Sequence, residues 1–437
     1  MQPTPVNALT KKRHRNLGFD LFRFWGVFLI FVGHNYGIFQ GLGAELGLSN
    51  LIDAPTWWAE FGYSSFWYQV VLTGVPLFIM IAGFHSLGRP CGPNDWVKAK
   101  SDFCKYVLFW FKWLIVGTLL AILVPSIWGR GVADLTFTQK IEVFIENLFC
   151  TNITKGFAGV TAINWTTLGL AWAALLCFLL RPLFQSKNIK AIRAMTFVVF
   201  FMVSIVPTIY TFGKDMLVQH PDSMVALFFS NFNPLSTTGW NPENWNNFWF
   251  PMLMLGGWYA VDTDVRKRVQ NMSWPKTLAI CAVMVIAFVF IAHYYGMNRY
   301  VDGMFLTIYW RGGWAPASFA WFILADKINA TCKEDSKLGR FILKFGEDNI
   351  GGMIISYPFG STLQQTVFFF VYEWMFATFH SPVLLSLMFF LYNAAFYAVL
   401  VTIVHFLRPV FSKIPVLRGL LYWDKIKIFD KEKVAVT

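Results

Sequence analysis

An arginine and a histidine lie eleven residues apart in an otherwise apolar stretch that runs from Asn16 to Gly37. On an α-helix, eleven residues make close to three turns and about 16 Å of rise, so Arg23 and His34 would project from nearly the same face. An ionisable side chain inside a membrane-spanning helix costs about 2.5–3.5 kcal/mol on insertion scales and usually faces a functional cavity. The pair therefore predicts a polar track through a helix bundle.

His34 is the candidate catalytic base, because a neutral imidazole can take the proton of a hydroxyl group during a transfer reaction. The alternative is a histidine that only hydrogen-bonds between helices. Arg23 is a candidate catalytic and binding residue for a phosphate or a polarised carbonyl, with a snorkelling interfacial anchor as its alternative. Asp20, one turn earlier, either pairs with Arg23 and fixes its rotamer or caps the helix.

Two further cations fall inside apolar runs. Lys112 is a candidate for binding an anionic substrate and Arg311 is a candidate cavity residue, with snorkelling as the alternative for each. The six cysteines are scattered without a close Cys-x-x-Cys pair, so no metal site is predicted. Because the sequence also lacks a glycine-rich phosphate loop, we expect no permanently bound cofactor.

The chain that must position these residues is 437 residues long, 56% hydrophobic and only 14% charged. A soluble domain has about 25% charged residues. Apolar runs of membrane length recur along the sequence and predict an all-α, polytopic integral membrane bundle of about ten transmembrane helices. The runs lie near 19–38, 66–86, 104–124, 165–182, 194–212, 246–261, 277–297, 303–325, 350–372 and 383–406. In the second run, Gly74 and Gly83 indicate close helix packing.

Lys and Arg are concentrated in every second segment that connects the apolar runs. Of the 36 Lys and Arg, 28 fall in segments predicted to be inside, five in the outer loops and three within spans. This split places both termini in the cytosol and predicts a basic tail (1–18), a transmembrane domain (19–406) and a second basic tail (407–437). Because the positive charge reports orientation, it does not predict nucleic-acid binding. Asn152 begins an Asn-Ile-Thr tripeptide in an outer loop and is a glycosylation candidate.

These motifs resemble the membrane acyltransferase 3 family. That family opens with Asp-x-x-Arg, an apolar helix and a histidine, the pattern formed here by Asp20, Arg23 and His34. The next apolar run, VPLFIMIAGF, resembles a second segment of the family through Val75, Pro76, Phe78, Gly83 and Phe84. Weaker likeness continues in the segments that begin at Trp165, Phe248 and Phe345. The resemblance therefore runs along the whole chain and agrees with ten spans.

The chain departs from the family pattern at several polar positions. Ala82 replaces a serine, and Leu170 stands where the family has an acidic residue. Ser356 replaces a histidine and is a candidate cavity residue. The basic pair at the start of the third span is reduced to Lys105 and Lys112.

The resemblance implies an integral-membrane O-acyltransferase. Cytosolic acyl-CoA would supply the acyl group, with acetyl expected, and the acceptor would be a hydroxyl of a sugar, a glycolipid or a lipophilic small molecule. Membrane lipids are the other expected partners, and the location is a bacterial inner membrane or a eukaryotic endomembrane or plasma membrane. The missing accessory polar groups leave a second hypothesis open: a non-enzymatic relative that acts as a transporter, a flippase or a silent membrane partner.

Overall fold

Helices make up all the regular secondary structure in the described part of the chain, which confirms the all-α prediction there. The computed structural model describes residues 16–53, 60–124, 134–148, 160–202, 216–230, 249–297, 315–346 and 356–414, with 209, 213, 348, 351, 417 and 420. The first eight helices are α1 (Leu17–Glu45), α2 (Ser64–Val71), α3 (Gly74–Leu87), α4 (Asp95–Leu123), α5 (Phe137–Leu148), α6 (Val160–Phe184), α7 (Ile189–Phe200) and α8 (Met224–Ser230). The other eight are α9 (Trp249–Val261), α10 (Thr263–Asn271), α11 (Trp274–Met297), α12 (Ala315–Thr331), α13 (Lys337–Phe345), α14 (Thr362–Thr366), α15 (Phe369–Thr378) and α16 (Pro382–Lys413).

Helix α1 has a side-chain hydrogen-bond acceptor at its start and a glycine just beyond its end. The first amides of a helix have no partner within it, and here the Gly18 amide donates to Asn329 Oδ1 at 2.7 Å, which ties α1 to the end of α12. After the other end, Gly47 has a φ of +70°, the left-handed conformation that commonly follows a helix and that suits glycine. Because α1 begins at Leu17, Asp20 is not its cap.

The run 66–86, predicted as one span, is two helices that meet at Thr73. Pro76 has no N–H to donate to the carbonyl four residues earlier, which weakens a continuous helix at this point. Helix α12 contributes two hydrogen bonds at the junction. The Ser318 hydroxyl donates to the Thr73 carbonyl at 2.9 Å, and Trp321 Nε1 donates to the Thr73 hydroxyl at 2.8 Å. The run 66–86 is therefore not one continuous helix.

The C-terminal third also departs from the predicted boundaries. The run 350–372 contains a π-helical turn, Ser356–Ser361, then α14 and the start of α15, rather than one helix. Helix α16 continues to Lys413, seven residues into the predicted tail. Beyond it, the Leu420 carbonyl accepts a hydrogen bond from Trp113 Nε1 at 3.0 Å. Part of 407–437 is therefore packed structure, because its apolar side chains cover α4.

Helix α3 lies between α1, α6, α9 and α12. Its crossing with α9 is close because each helix presents a glycine to the other's backbone. A Cβ atom added at Gly83 would lie 2.1 Å from the Leu253 carbonyl oxygen, and one added at Gly256 would lie 2.0 Å from that of Met80. The packing role predicted for Gly83 is confirmed.

Successive long helices run in alternating directions, so that one end of the bundle collects the start of α1 and α4 and the end of α3, α6, α9, α12 and α16. Contacts such as Phe19 to Phe84, with ring centroids 4.7 Å apart, and Tyr259 to Asp326, at 3.1 Å, join these ends. We call this the charged end, because most of the ion pairs described below lie there.

Two helices in the described residues, α1 and α16, are long and apolar enough to cross a membrane. Shorter apolar stretches lie within α3, α6, α9 and α11. Several helices also turn large apolar side chains outward, among them Leu119 on α4, Leu179 on α6 and Phe406 on α16. These features are compatible with association with a membrane.

Candidate functional site

Helix α1 carries the predicted arginine and histidine. Arg23 Nη1 lies 2.9 Å from Asp20 Oδ1, and the side chains of the two residues are 34% and 8% exposed. Of the two roles predicted for Asp20, the structure therefore shows the ion pair and not the helix cap. The pairing limits the rotamers of Arg23 and directs its guanidinium along one side of α1 near the charged end.

His34 lies on α1 about 16 Å of helix rise beyond Arg23. Its side chain is half-buried, and Nδ1 lies 2.7 Å from the Ile30 carbonyl oxygen. Because a carbonyl only accepts, this contact assigns the proton of a neutral ring to Nδ1 and leaves Nε2 as the basic nitrogen. The histidine is thus oriented by its own helix, in the tautomer that a general base acting through Nε2 requires.

A cavity of about 530 Å³ opens at the charged end between α3, α4, α6 and α9. Its apolar wall is built mostly from small side chains, including Ala82, Ala173, Ala174 and Cys177. The remaining wall is polar and mostly basic: His85, Ser86, Arg89, Lys98, Asp102, Lys105, Tyr106, Arg181 and Arg266. Five cations thus line one cavity, which favours an anionic ligand.

Two of these cations are held by one carboxylate. Asp95 Oδ1 lies 2.7 Å from Arg89 Nη2 and 2.8 Å from Arg181 Nη1, while the Gly92 amide donates to Asp95 Oδ2 at 2.9 Å. Burial tends to raise the pKa of the Asp95 carboxyl, but the Gly92 amide and the two guanidinium groups more than offset it and hold that pKa below its usual range. The stabilisation is therefore present at neutral pH and is lost as the pH falls through the lowered pKa.

A second carboxylate positions Arg266. Asp326 is fully buried, and Arg266 donates to it from Nε at 3.1 Å and from Nη2 at 3.0 Å. Asp326 also accepts hydrogen bonds from the Tyr259 hydroxyl at 3.1 Å and from Gln270 Nε2 at 2.9 Å. Arg266 in turn lies 4.8 Å from the centre of the Phe84 ring, a cation–π contact at the cavity wall. This network joins α9, α10 and α12 around one fixed guanidinium.

Helix α1 borders the cavity through its first turns. The Phe19 ring lies edge-on to His85 with centroids 5.5 Å apart. Tyr106 also lines the cavity and has Lys105 Nζ 4.6 Å from its ring centre. Arg23 lies one turn beyond Phe19 on the same side of α1, which places it near the basic wall. His34 is not among the residues that line the cavity.

The remaining predicted residues lie elsewhere. Lys112 is half-buried on α4, two turns beyond Lys105 and outside the cavity lining. Ser356 is the first residue of the π-helical turn. Arg311 and the glycosylation candidate Asn152 lie outside the described residues.

Most of the basic wall is not predicted by hydropathy and charge counts. By those criteria Arg89, Arg181 and Arg266 only mark orientation, and His85 is an interfacial residue at the end of the second run. A usable signal was present, since all four lie within about six residues of predicted span ends that an alternating bundle brings to one side.

No group of three or more His, Cys, Asp or Glu side chains in the described residues is arranged to hold a metal ion. Five cations and the three carboxylates that pair with them, Asp95, Asp102 and Asp326, give the site an excess of positive charge. Such a site suits phosphate groups, which arginine binds through paired hydrogen bonds.

Comparison of the chain with protein-family models, with curated proteins and with solved structures gave no match.

Proposed function

We propose that this chain is an integral-membrane O-acyltransferase that moves an acyl group, with acetyl expected, from acyl-CoA to a hydroxyl of a sugar, a glycolipid or a lipophilic small molecule. The observation that carries the proposal is the basic cavity beside Arg23, on the same helix as an oriented histidine. The resemblance of Asp20, Arg23 and His34 to the membrane acyltransferase 3 motif adds to it.

The proposed membrane location accounts for the outward apolar faces of the helices. Ten spans with both termini in the cytosol would place the charged end at the cytosolic boundary. That end holds the start of α1 and the cations counted as inside residues, including Arg89, Arg181 and Arg266. Acyl-CoA is a cytosolic, polyanionic metabolite, so the orientation and the charge of the cavity favour the same substrate.

In this proposal the phosphates of acyl-CoA bind among the cavity cations and its pantetheine arm extends along α1 past Arg23. The arm would bring the thioester toward His34, which lies about three helical turns deeper. Enclosure within the bundle would protect the thioester from hydrolysis. The acceptor would approach His34 from the membrane or from the opposite side.

The transfer step uses His34 as the base. The acceptor oxygen forms a bond to the thioester carbonyl carbon while its proton passes to His34 Nε2. The carbon–sulfur bond then breaks, and the departing thiolate takes the proton back from the imidazolium. The products are the ester and free CoA, and His34 returns to its neutral form. Arg23 would stabilise the negative charge that develops on the carbonyl oxygen.

Two observations favour the second candidate, a non-enzymatic transporter or silent partner. His34 lies outside the cavity lining, and the sequence of α6 has no carboxylate that could support a base. In that case the cavity would bind an anionic ligand, and no acyl transfer would follow.

Incubation of the purified protein with radiolabelled acetyl-CoA and an extract of membrane lipids and glycans separates the two candidates. An acyltransferase will label an ester product and release CoA in equal amount. Saturable binding of acetyl-CoA with no product over many hours would leave only the non-enzymatic candidate.

Replacing Arg23 with alanine is expected to weaken acyl-CoA binding by about tenfold or more, since a charge-assisted hydrogen bond contributes roughly 1.5 kcal/mol or more. Arg23→Lys should restore only part of the affinity, because an ammonium lacks the guanidinium fork. Calorimetric titration with a non-hydrolysable acetyl-CoA analogue measures both. Lys276→Ala, an exposed cation outside the cavity lining, is the matched control.

The Asp20 carboxylate must be controlled for in this experiment, because Arg23→Ala removes a cation that pairs with it at 2.9 Å. The double variant Arg23→Ala with Asp20→Asn should bind as weakly as Arg23→Ala alone. Recovery of wild-type affinity in the double variant would mean that repulsion by Asp20, and not loss of the guanidinium, caused the defect.

The topology gives another expected result. Cys91 and Cys332 should be on the cytosolic side, while Cys150, which lies outside the described residues, should be on the opposite side. Single-cysteine variants labelled with an impermeant maleimide should therefore react at Cys150 in intact cells and at Cys91 and Cys332 only after permeabilisation. Labelling of Cys332 but not Cys150 from outside would contradict the ten-span arrangement.

A further inference from the structure

Helix α13 is a short basic helix at the charged end with three distinct faces. Gly339 and Ile342 are buried, and α13 packs against α1. Leu338 and Phe341 are large apolar residues that remain 45% and 48% exposed. A third stripe carries positive charge: Lys337, Arg340 and Lys344. Their spacing of three and four residues places these cations on one side of the helix, next to the apolar stripe.

The helix is firmly held, so its exposed face is fixed in orientation. The Ser336 hydroxyl caps it by accepting from the Gly339 amide at 2.9 Å. At the other end, the ring of Phe345 lies 5.0 Å from that of His405 on α16. His405 Nδ1 in turn lies 2.7 Å from a carboxylate oxygen of the buried Asp348, just after α13. The anchoring leaves the apolar and basic stripes pointing away from the bundle.

We propose that α13 is an interfacial helix that binds the anionic lipids of the cytosolic leaflet. A helix with apolar side chains beside a stripe of cations suits the boundary between acyl chains and head groups. Phe341 and Leu338 would enter the acyl region, while the three cations would contact anionic head groups. No acidic residue lies between Lys337 and Phe345, so the charge of this helix complements an anionic surface. The inference rests on the proposed membrane location but not on acyl transfer.

Lipid-attached quenchers test the proposal directly. A fluorescent amino acid replaces Phe341 in the full-length protein, which is reconstituted into nanodiscs with trace spin-labelled phosphatidylserine or spin-labelled phosphatidylcholine. We expect quenching at position 341 by both, and stronger quenching by phosphatidylserine. The same probe at Leu391, an exposed apolar position on α16, reports the bulk lipid composition and should show no such preference.

Neutralising the basic stripe should remove the preference. The variant Lys337→Gln, Arg340→Gln, Lys344→Gln is expected to lower the phosphatidylserine preference at position 341 by at least about fivefold, since one interfacial cation contributes about 1 kcal/mol. The control variant Lys267→Gln, Arg268→Gln, Lys276→Gln removes the same charge from exposed positions elsewhere and should leave the preference unchanged. All six positions are exposed, so both variants should fold.

The possible outcomes separate this proposal from the membrane location. Quenching at Leu391 but not at Phe341 would overturn the interfacial role of α13 and leave the membrane location intact. Equal quenching at Phe341 by both lipids would overturn the anionic-lipid site. Quenching at neither position would contradict the membrane location as well.

Discussion

Replacing His34 with alanine is expected to slow acyl transfer by about 10²–10⁴-fold, the usual loss when a general base is removed. The physical reason is that the acceptor hydroxyl then has no group to take its proton as the new bond forms. Folding should be little affected, because the side chain is half-buried and its hydrogen bond to Ile30 stays within α1. Acyl-CoA binding should also persist, since His34 lies outside the basic cavity.

Single-turnover measurements with labelled acetyl-CoA, combined with calorimetry, separate these effects. His380→Ala removes an exposed histidine after α15 and is the matched control, with transfer expected to remain at the wild-type rate. His34→Gln keeps a polar side chain of similar reach without a basic nitrogen, so it should be as inactive as His34→Ala. Near-normal turnover in a folded His34→Ala protein would exclude the base role.

Replacing Asp326 with alanine is expected to lower the free energy of unfolding by about 3 kcal/mol. Removing one member of a buried ion pair costs about 3–5 kcal/mol, because the other charge is left without compensation. We expect the lower end of this range, because the side chain of Arg266 is 30% exposed and water can partly solvate its charge. The Tyr259 hydroxyl and the Gln270 amide also lose an acceptor in the same variant.

Unfolding by SDS in mixed micelles measures this loss. Asp335→Ala removes an exposed carboxylate in the connection between α12 and α13 and should change stability by less than about 0.5 kcal/mol. Asp326→Ala should also weaken acyl-CoA binding, because Arg266 lines the cavity and depends on Asp326 for its position. If Asp326→Ala and Asp335→Ala are equally stable, the buried network does not hold α9, α10 and α12 together.

The sequence alone determined the features that depend on residues close together in the chain. Apolar runs of helical length predicted the helices, and the spacing of Asp20, Arg23 and His34 placed their side chains along one side of α1. The glycine at position 83 indicated close packing, because a missing side chain permits backbones to approach whatever the partner is. Each of these inferences rests on the local geometry of one helix.

Only the tertiary structure decided which helix ends become neighbours. Arg89, Arg181 and Arg266 are separated by more than 80 residues from one another, and no periodicity in the sequence links them. The crossing of α3 and α9, where Gly83 and Gly256 bring two backbones together, places Arg89 and Arg266 near each other. Arg181 joins them because its Nε donates to the Ser86 carbonyl at the end of α3 at 2.7 Å. The break at Thr73 in the second apolar run was also not predicted, because hydropathy does not detect the hydrogen bonds that α12 makes there. Contacts between distant segments set both the cavity and the break, and their energies depend on packing geometry that hydropathy and charge counts do not contain.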